Sequence, residues 1–422
     1  KCYMKLQIIL FLAILNHSTS FFLRDFRPHG RRMNVRYATT VSETIPQWVH
    51  DDDGARLFDH SITVFEFSGK DRAQFLHSQV TNDVKNAPIG AFLEATMPTP
   101  MGRCEDLCSI IVRDDRILLL ASCDTRAALM MRMDKYIFPL DDVHANDVTD
   151  SIAACVLVGP GAESSLNDAA NEQTIPTSSS AVAHWKIEED GDCITVARST
   201  GLKLPGFTII GPKETISLYS QKLLSSRKVL RGTPDEWEKL RITQGRPAYA
   251  RELTDDYTVL EAGLYHTVHF NKGCYIGQES IAKVGLRNAL RSQLWGVIFD
   301  GVVAEGAELT LEDTPTTAIG IVTSALPLHD ALGTNVGTLG LAYVKRSAVR
   351  LSKKGLSREE QSSAAGLRVR AGVSSGTLRE LPYQSRSLSE AAAAPTKEKE
   401  EKPVKTNEDE EAARKAAKLV EM

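Results

Sequence analysis

Lys272-Gly-Cys-Tyr-Ile-Gly-Gln-Glu279 is the stretch on which the reading of this chain turns. It places one thiol between two glycines, with an ammonium two residues before it and an amide and a carboxylate four and five residues after it. Gly273 and Gly277 let the backbone turn tightly or come close to a ligand. Lys272 favours the thiolate of Cys274 if the two side chains converge. Such a loop is a poor core segment, so Cys274 is expected to be partly exposed and is the first candidate for chemistry, with Lys272 as its partner. By contrast Cys123, Cys155 and Cys193 sit in or beside apolar strand patterns and read as buried filler.

The octapeptide resembles the signature Lys-Gly-Cys-Tyr/Phe-x-Gly-Gln-Glu of the YgfZ-like folate-binding proteins, relatives of the glycine-cleavage T-protein. The resemblance extends back through Arg241-Ile-Thr-Gln-Gly-Arg-Pro247, Glu252-Leu-Thr254 and Leu260-Glu-Ala-Gly-Leu264. It covers, more loosely, about residues 55–345, and the run from Asn271 to Ala282 is most similar to the plastid-type members. It implies an α+β fold, a duplicated T-protein-like core of two α+β subdomains closed by a C-terminal β-barrel. It also implies tetrahydrofolate as ligand and a role in assembly or repair of iron–sulfur enzymes. A single cysteine cannot hold a stable cluster, which takes four protein ligands as a rule, so Cys274 would be a transient participant.

Glu261 is the second candidate. A pterin ring presents a row of N–H donors, and a fixed carboxylate accepts two of them at once; the T-protein resemblance implies this role for the glutamate of Leu-Glu-Ala-Gly. Arg241 or Arg251 would meet the folate's glutamate tail, or either forms a structural ion pair. Asp106, Tyr275 and Gln278 complete the expected cofactor-binding set. Around Met101-Gly-Arg-Cys-Glu-Asp-Leu107 the chain departs from the T-protein, whose Gly-Gly-x-x-Asp-Asp run supplies an acid essential to aminomethyl transfer. Here Arg103 replaces the second glycine and Leu107 follows the lone Asp106. The leading expectation is therefore a folate-binding accessory protein. A folate-dependent one-carbon transferase and a non-enzymatic scaffold that docks a client are the alternatives.

Composition bounds the partners. The 422 residues carry a net charge of −4 with 25% charged residues, which gives no polybasic footprint for direct nucleic-acid binding. Seven scattered cysteines, with no Cys-x-x-Cys pair, fit a reducing compartment better than a disulfide framework. Cys104 and Cys108 share a strand face, and His266 and His269 lie on a segment read as a strand; neither pair makes a metal motif, and no metal site is expected. The apolar run Leu6 to Leu15, followed by Ser18-Thr-Ser20 and then by five arginines (Arg24, Arg27, Arg31, Arg32, Arg36), reads as a bipartite signal and transit segment for a plastid. A mitochondrial presequence or a signal peptide alone are the other readings. No membrane association is expected after processing.

Element patterns divide the rest. A strand over Ser61–Phe67 runs into Ser68-Gly-Lys-Asp71, a capping pattern before a helix, and Cys155–Val158 with Gly159-Pro-Gly161 repeats the plan. Cys108–Val112 and Ile117–Ala121 flank Arg113-Asp-Asp-Arg116 as a hairpin. Gly206–Gly211 is a strand before a helix over Glu214–Ser226. Thr233, Pro234, Glu236 and Gly245 mark the ends of another helix. Short strands at Leu294–Phe299, Ala307–Leu311, Ala318–Ser324 and Thr338–Val344 read as a small barrel. The resulting division is 1–44 targeting, 45–290 folate-binding core, 291–384 barrel, and 385–422 a charged, disordered tail.

Overall fold

The computed structural model describes residues 46–388 apart from 52, 171–172, 187–192, 227, 331 and 353–362. The expected targeting segment and residues 389–422 of the expected tail lie outside the described residues. Two sheets and a barrel organise the chain. The first sheet has the order β3 (Phe92–Pro98), β4 (Cys104–Val112), β5 (Ile117–Ser122), β2 (Ile62–Ser68), β6 (His144–Asp147). Alternation along these strands sends Phe65, Phe67, Met97, Ile110 and Leu119 to one face, where Leu76 and Met133 of helices α1 (Arg72–Gln79) and α2 (Arg126–Tyr136) cover them. The hairpin of β4 and β5 pairs Val112 with Ile117 across the polar turn, as the sequence indicates.

The second sheet has the order β11 (Val229–Arg231), β1 (Ala55–His60), β7 (Ile152–Val158), β10 (Gly206–Pro212), β9 (Cys193–Ala197), β8 (Val182–Lys186). Helices α3 (Ala162–Ala169) and α4 (Lys213–Ser225) cover its Leu57, Leu157, Phe207 and Ile209 with Leu166 and Ile216. The other faces of the two sheets meet: Val64, Ile111, Leu118 and Leu120 pack with Ala154, Ala197 and Ile210. The core is thus two α+β layers back to back, and the strand–glycine–helix plan is present twice. Gly69 and Gly159 have φ of 91° and 131°, and a Cβ on either would lie 2.1 Å from Asp142 O or 2.2 Å from Gly54 O. At both junctions glycine admits the backbone of a neighbouring segment. The expected capping pattern of Ser68-Gly-Lys-Asp71 does not form: the helix begins at Arg72, with Asp71 at the N-cap position rather than in the first turn, and its carboxylate accepts the Asp142 N–H at 3.1 Å.

Helix α5 (Pro234–Gln244) forms as its capping box dictates, with Thr233 and Glu236 bonded reciprocally and Gly245 ending it at φ 85°. The barrel closes in the order β12 (Ser292–Phe299), β15 (Asn335–Lys345), β14 (Thr314–His329), β13 (Glu308–Leu311), β16 (Arg368–Ala371), β17 (Ser374–Arg379). Trp295, Val297, Phe299, Leu309, Val322 and Leu378 fill it, and closure leaves no unpaired edge. Beyond β17 the chain turns back onto the core: Tyr383 N–H donates to Gln244 O at 2.9 Å and Ser385 N–H to Gly263 O at 2.9 Å. The Arg386 guanidinium lies 3.7 Å from the Trp295 ring centroid. The ordered chain therefore passes the expected boundary at 385, because Ser385 and Arg386 have partners that a charge-based reading cannot see. Among the described residues no helix is long and apolar enough to cross a membrane.

Candidate functional site

The signature loop lies on the first α+β layer. Gly277, at φ 78°, turns the chain into helix α6 (Gln278–Arg287), and a Cβ there would stand 2.3 Å from Thr99 O. Lys272 and Tyr275 point inward while Gly273 and Cys274 are exposed. Exposure of Cys274 follows the sequence reading. Its expected partner does not. Lys272 Nζ is buried and donates to His77 O, Val80 O and Asn82 O at 2.5, 2.7 and 2.8 Å, with the Tyr275 ring centroid 4.7 Å away. All three ammonium protons are taken by carbonyls at the end of α1, so Lys272 is a helix cap that ties the loop to α1 and has no donor left for a thiolate. Burial lowers its pKa to about 7. A neutral amine would turn a lone pair on one of the three oxygens, so the geometry suits the ammonium. Gln278 Nε2 donates to Lys272 O at 3.3 Å and closes the loop from within.

Cys274, Gly273, Gln74, His77, Lys85 and Asn86 line a recess of about 330 Å³. His77 is buried, its Nδ1 3.1 Å from Asp83 Oδ1. Cys123 and Cys193 are exposed, contrary to the filler expectation, because Cys123 falls in a 3-10 turn after β5 and Cys193 begins a strand; Cys155 is buried as expected. Cys104 and Cys108 are also buried, and burial pushes both thiols up.

Several of the residues expected to contact folate make hydrogen bonds within the chain. Glu261 Oε1 accepts the N–H groups of Arg291 and Ser292 at 3.0 and 3.1 Å; Oε2 accepts Thr258 N–H and Oγ1–H at 2.9 and 3.0 Å. Four acceptor positions are filled, and the carboxylate pins the 258–261 turn to the start of the barrel. Thr258-Val-Leu-Glu261 is itself a capping-box pattern, with Glu261 N–H returned to Thr258 Oγ1 at 3.3 Å. That signal is present in the sequence itself. Asp106 is buried and accepts Leu107 N–H, Ser122 N–H and Ser122 Oγ–H at 2.8, 2.9 and 2.7 Å, with Thr125 Oγ1 at 3.0 Å. Burial raises its pKa against these bonds. It holds β4 to the end of β5. Arg241 is buried between Glu238 and Glu252, with Arg246 O and Ser324 Oγ also bonded. Arg251 joins Glu238 and Glu305 near the surface.

A polar cluster that sequence reasoning missed lies where the returning 381–386 segment meets α5. Arg246 Nη1 donates to Glu94 Oε1, Gly201 O and Tyr383 Oη at 2.6, 2.8 and 2.8 Å, and Tyr383 Oη is 3.0 Å from Glu94 Oε1. Burial opposes ionisation of Glu94, yet the charge of Arg246 and the hydrogen bonds from Arg246 and Tyr383 hold its carboxyl below the ordinary value. His266, expected on a strand, lies in a 3-10 turn, edge-on to Tyr383 with Nδ1 2.9 Å from Ser385 Oγ. Burial pushes its pKa down to about 4. Gln244 Oε1, Gln384 Oε1 and His266 Nε2 are buried and make no hydrogen bond with any described residue. Unpaired buried polar atoms are rare in native folds and call for an explanation. Arg246 of the quoted Arg-Pro motif was the one local pointer; Glu94 and Tyr383 reach it only through the fold.

The comparisons agree with this architecture. The sequence pattern of the GCVT N-terminal domain matches residues 44–272. The chain belongs to this family, the YgfZ-like relatives of the glycine-cleavage T-protein. A chloroplastic protein of Arabidopsis thaliana named a "putative transferase" is 30% identical over 358 residues, which cover 82% of this chain and 77% of that one. The tRNA-modifying protein YgfZ of Colwellia psychrerythraea is 24% identical over 248 residues, covering 58% of this chain and 72% of its own. The crystal structure of the glycine cleavage aminomethyltransferase of Bartonella henselae superposes with a TM-score of 0.64 at 19% identity, over 82% of this chain and 90% of that one, which shows the shared fold.

Proposed function

We propose that this protein binds a reduced folate and serves as an accessory factor for assembly or repair of iron–sulfur enzymes in a plastid. The observation that carries the reading is the pairing of an exposed Cys274 loop with an Asp106 that is sealed into the fold. A T-protein-like shell without an available acid at that position favours binding over aminomethyl transfer, and the signature loop adds a thiol at the surface. The likeness to a chloroplastic protein supports the plastid.

In this reading the folate is recognised at the polar cluster. A pterin carries adjacent N–H donors, and Gln244 Oε1, Gln384 Oε1 and a neutral His266 are buried acceptors lacking such donors. Glu94 and Arg246 supply the charged pair that would orient the ring, with the Tyr383 hydroxyl bonded to both. When bound, the folate would supply one-carbon carrying capacity; the residues named hold and orient it.

Calorimetric titration with tetrahydrofolate tests the ligand. Binding by the wild type, lost in Glu94→Gln and Gln384→Leu proteins that keep their circular dichroism, supports the site; equal affinities in all three exclude it. The role is tested by adding wild-type or Cys274→Ser protein to an oxygen-exposed plastid radical-SAM enzyme. Recovery of activity with the wild type alone supports the reading, and equal recovery with both overturns the part given to Cys274.

A further inference from the structure

We propose that the recess beside the signature loop is a thiol-exchange site in which Cys274 is the nucleophile, His77 its general base and Asp83 the group that orients His77, with a small disulfide as substrate. The inference rests on the loop being the reactive part of the protein, as proposed above, and assigns it machinery that Lys272 cannot provide.

Three observations place the parts. First, Cys274 and His77 line the same recess, and a Cβ on Gly273 would lie 3.3 Å from His77 Nε2. That nitrogen therefore faces the backbone one residue before the thiol. Second, Asp83 Oδ1 is 3.1 Å from His77 Nδ1. The Lys85 N–H also points at Nδ1, at 3.4 Å. That bond has Nδ1 accepting and is long; the proposed step uses the other tautomer, in which Nδ1–H turns to the nearer, charged Asp83 Oδ1 and the Nε2 lone pair is left toward the loop. Third, Nε2 has no hydrogen-bond partner among the described residues, although the ring is 3% exposed. A neutral imidazole fixed by a carboxylate through one nitrogen and free at the other is the arrangement that accepts a proton from a neighbouring thiol.

The charged groups around His77 agree on the neutral form. Burial and the ammonium groups of Lys272 and Lys85 push its pKa below the ordinary value, against the pull of Asp83. Asp83 is itself held down by Asn86 despite partial burial, with His77 and His269 adding to the effect. Near neutral pH the ring is therefore a base, and the imidazolium formed in the reaction has a carboxylate to stabilise it. Gly273 is needed because any side chain there would stand between Nε2 and the recess.

The step balances within the recess. As Cys274 Sγ attacks one sulfur of the disulfide, its proton passes to Nε2. The S–S bond breaks, a mixed disulfide forms on Cys274, and the departing thiolate takes the proton back from Nε2 and leaves as a thiol.

The test is peptide-resolved labelling of the full chain with dithiodipyridine, a neutral disulfide, across pH, so that Cys274 is read apart from Cys123 and Cys193. An isolated thiol of pKa about 8.5 is about 1% thiolate at pH 6.5. A base that takes the proton during attack lets the thiol form react as well, and positioned bases contribute about 10²–10⁴-fold, so a threefold difference is a conservative threshold. Wild-type Cys274 is expected to react at least threefold faster than in His77→Gln at pH 6.5, with the two converging above about pH 9. Asp83→Asn should fall between them. Superimposable profiles for wild type and His77→Gln, with Cys123 labelling unchanged as a folding control, overturn the proposal. Labelling needs neither folate nor client, so its failure leaves folate binding intact, and loss of folate binding leaves these rates unchanged.

Discussion

Glu261→Ala should destabilise the protein and leave folate affinity alone. The carboxylate receives three backbone N–H groups, from Thr258, Arg291 and Ser292, and the residue is 5% exposed. Truncation strands all three. An unsatisfied buried donor costs roughly 1–3 kcal/mol, and the low end applies because Arg291 is exposed and Ser292 half-exposed, which lets water reach them. The sum is about 3 kcal/mol. Unfolding entropy of about 2.1 cal/mol/K per residue over roughly 320 ordered residues gives about 0.7 kcal/mol/K, so the melting midpoint should fall by about 4 °C. Differential scanning calorimetry reads the midpoint and titration with tetrahydrofolate reads the affinity, which is expected to stay within about twofold of wild type. A mutant that melts with the wild type but no longer binds folate would refute the reasoning and restore Glu261 as a pterin ligand.

Three further outcomes follow from the same geometry. Asp106→Asn should lower stability by about 2 kcal/mol, because an amide group replaces an acceptor facing Leu107 and Ser122 donors; chemical denaturation with an unchanged m-value checks it. Gly277→Ala should cost more than Gly273→Ala, since Gly277 has φ 78° and its Cβ would meet Thr99 O at 2.3 Å, whereas Gly273 meets only His77 Nε2 at 3.3 Å. The first should lower the midpoint by several degrees and the second mainly slow Cys274 labelling. His266 gives a pH signature. Its folded pKa is lowered to about 4 from 6.5, so between these values the unfolded chain binds more protons and stability rises with pH. Its contribution is complete above about pH 6.5 and is lost as pH falls toward 4, by about 2 kcal/mol after allowance for partial exposure. In His266→Gln that part of the slope should vanish from denaturation curves taken between pH 4 and 7.

The strand–glycine–helix plan, the α5 capping box and the barrel strands were all legible because each is specified by residues within a few positions of one another. Local sterics and alternation decide such elements before any long-range contact forms. The exposure of Cys274 was legible for the same reason, its neighbours being glycines. Roles that depend on what a side chain meets were not. Lys272 was placed beside Cys274 by sequence proximity, yet its ammonium is fixed by carbonyls of residues 77, 80 and 82, about 190 positions away. Glu94, Arg246 and Tyr383 come from three distant segments and meet only because the chain returns to the core after the barrel. An ionisable side chain in a folded interior takes whichever donors and acceptors the tertiary structure presents, since leaving them unpaired is costly. The sequence alone therefore determined the fold and the chemically loaded loop, and only the packing of the sheets, barrel and returning tail decided which partners Lys272, Glu261 and Glu94 take.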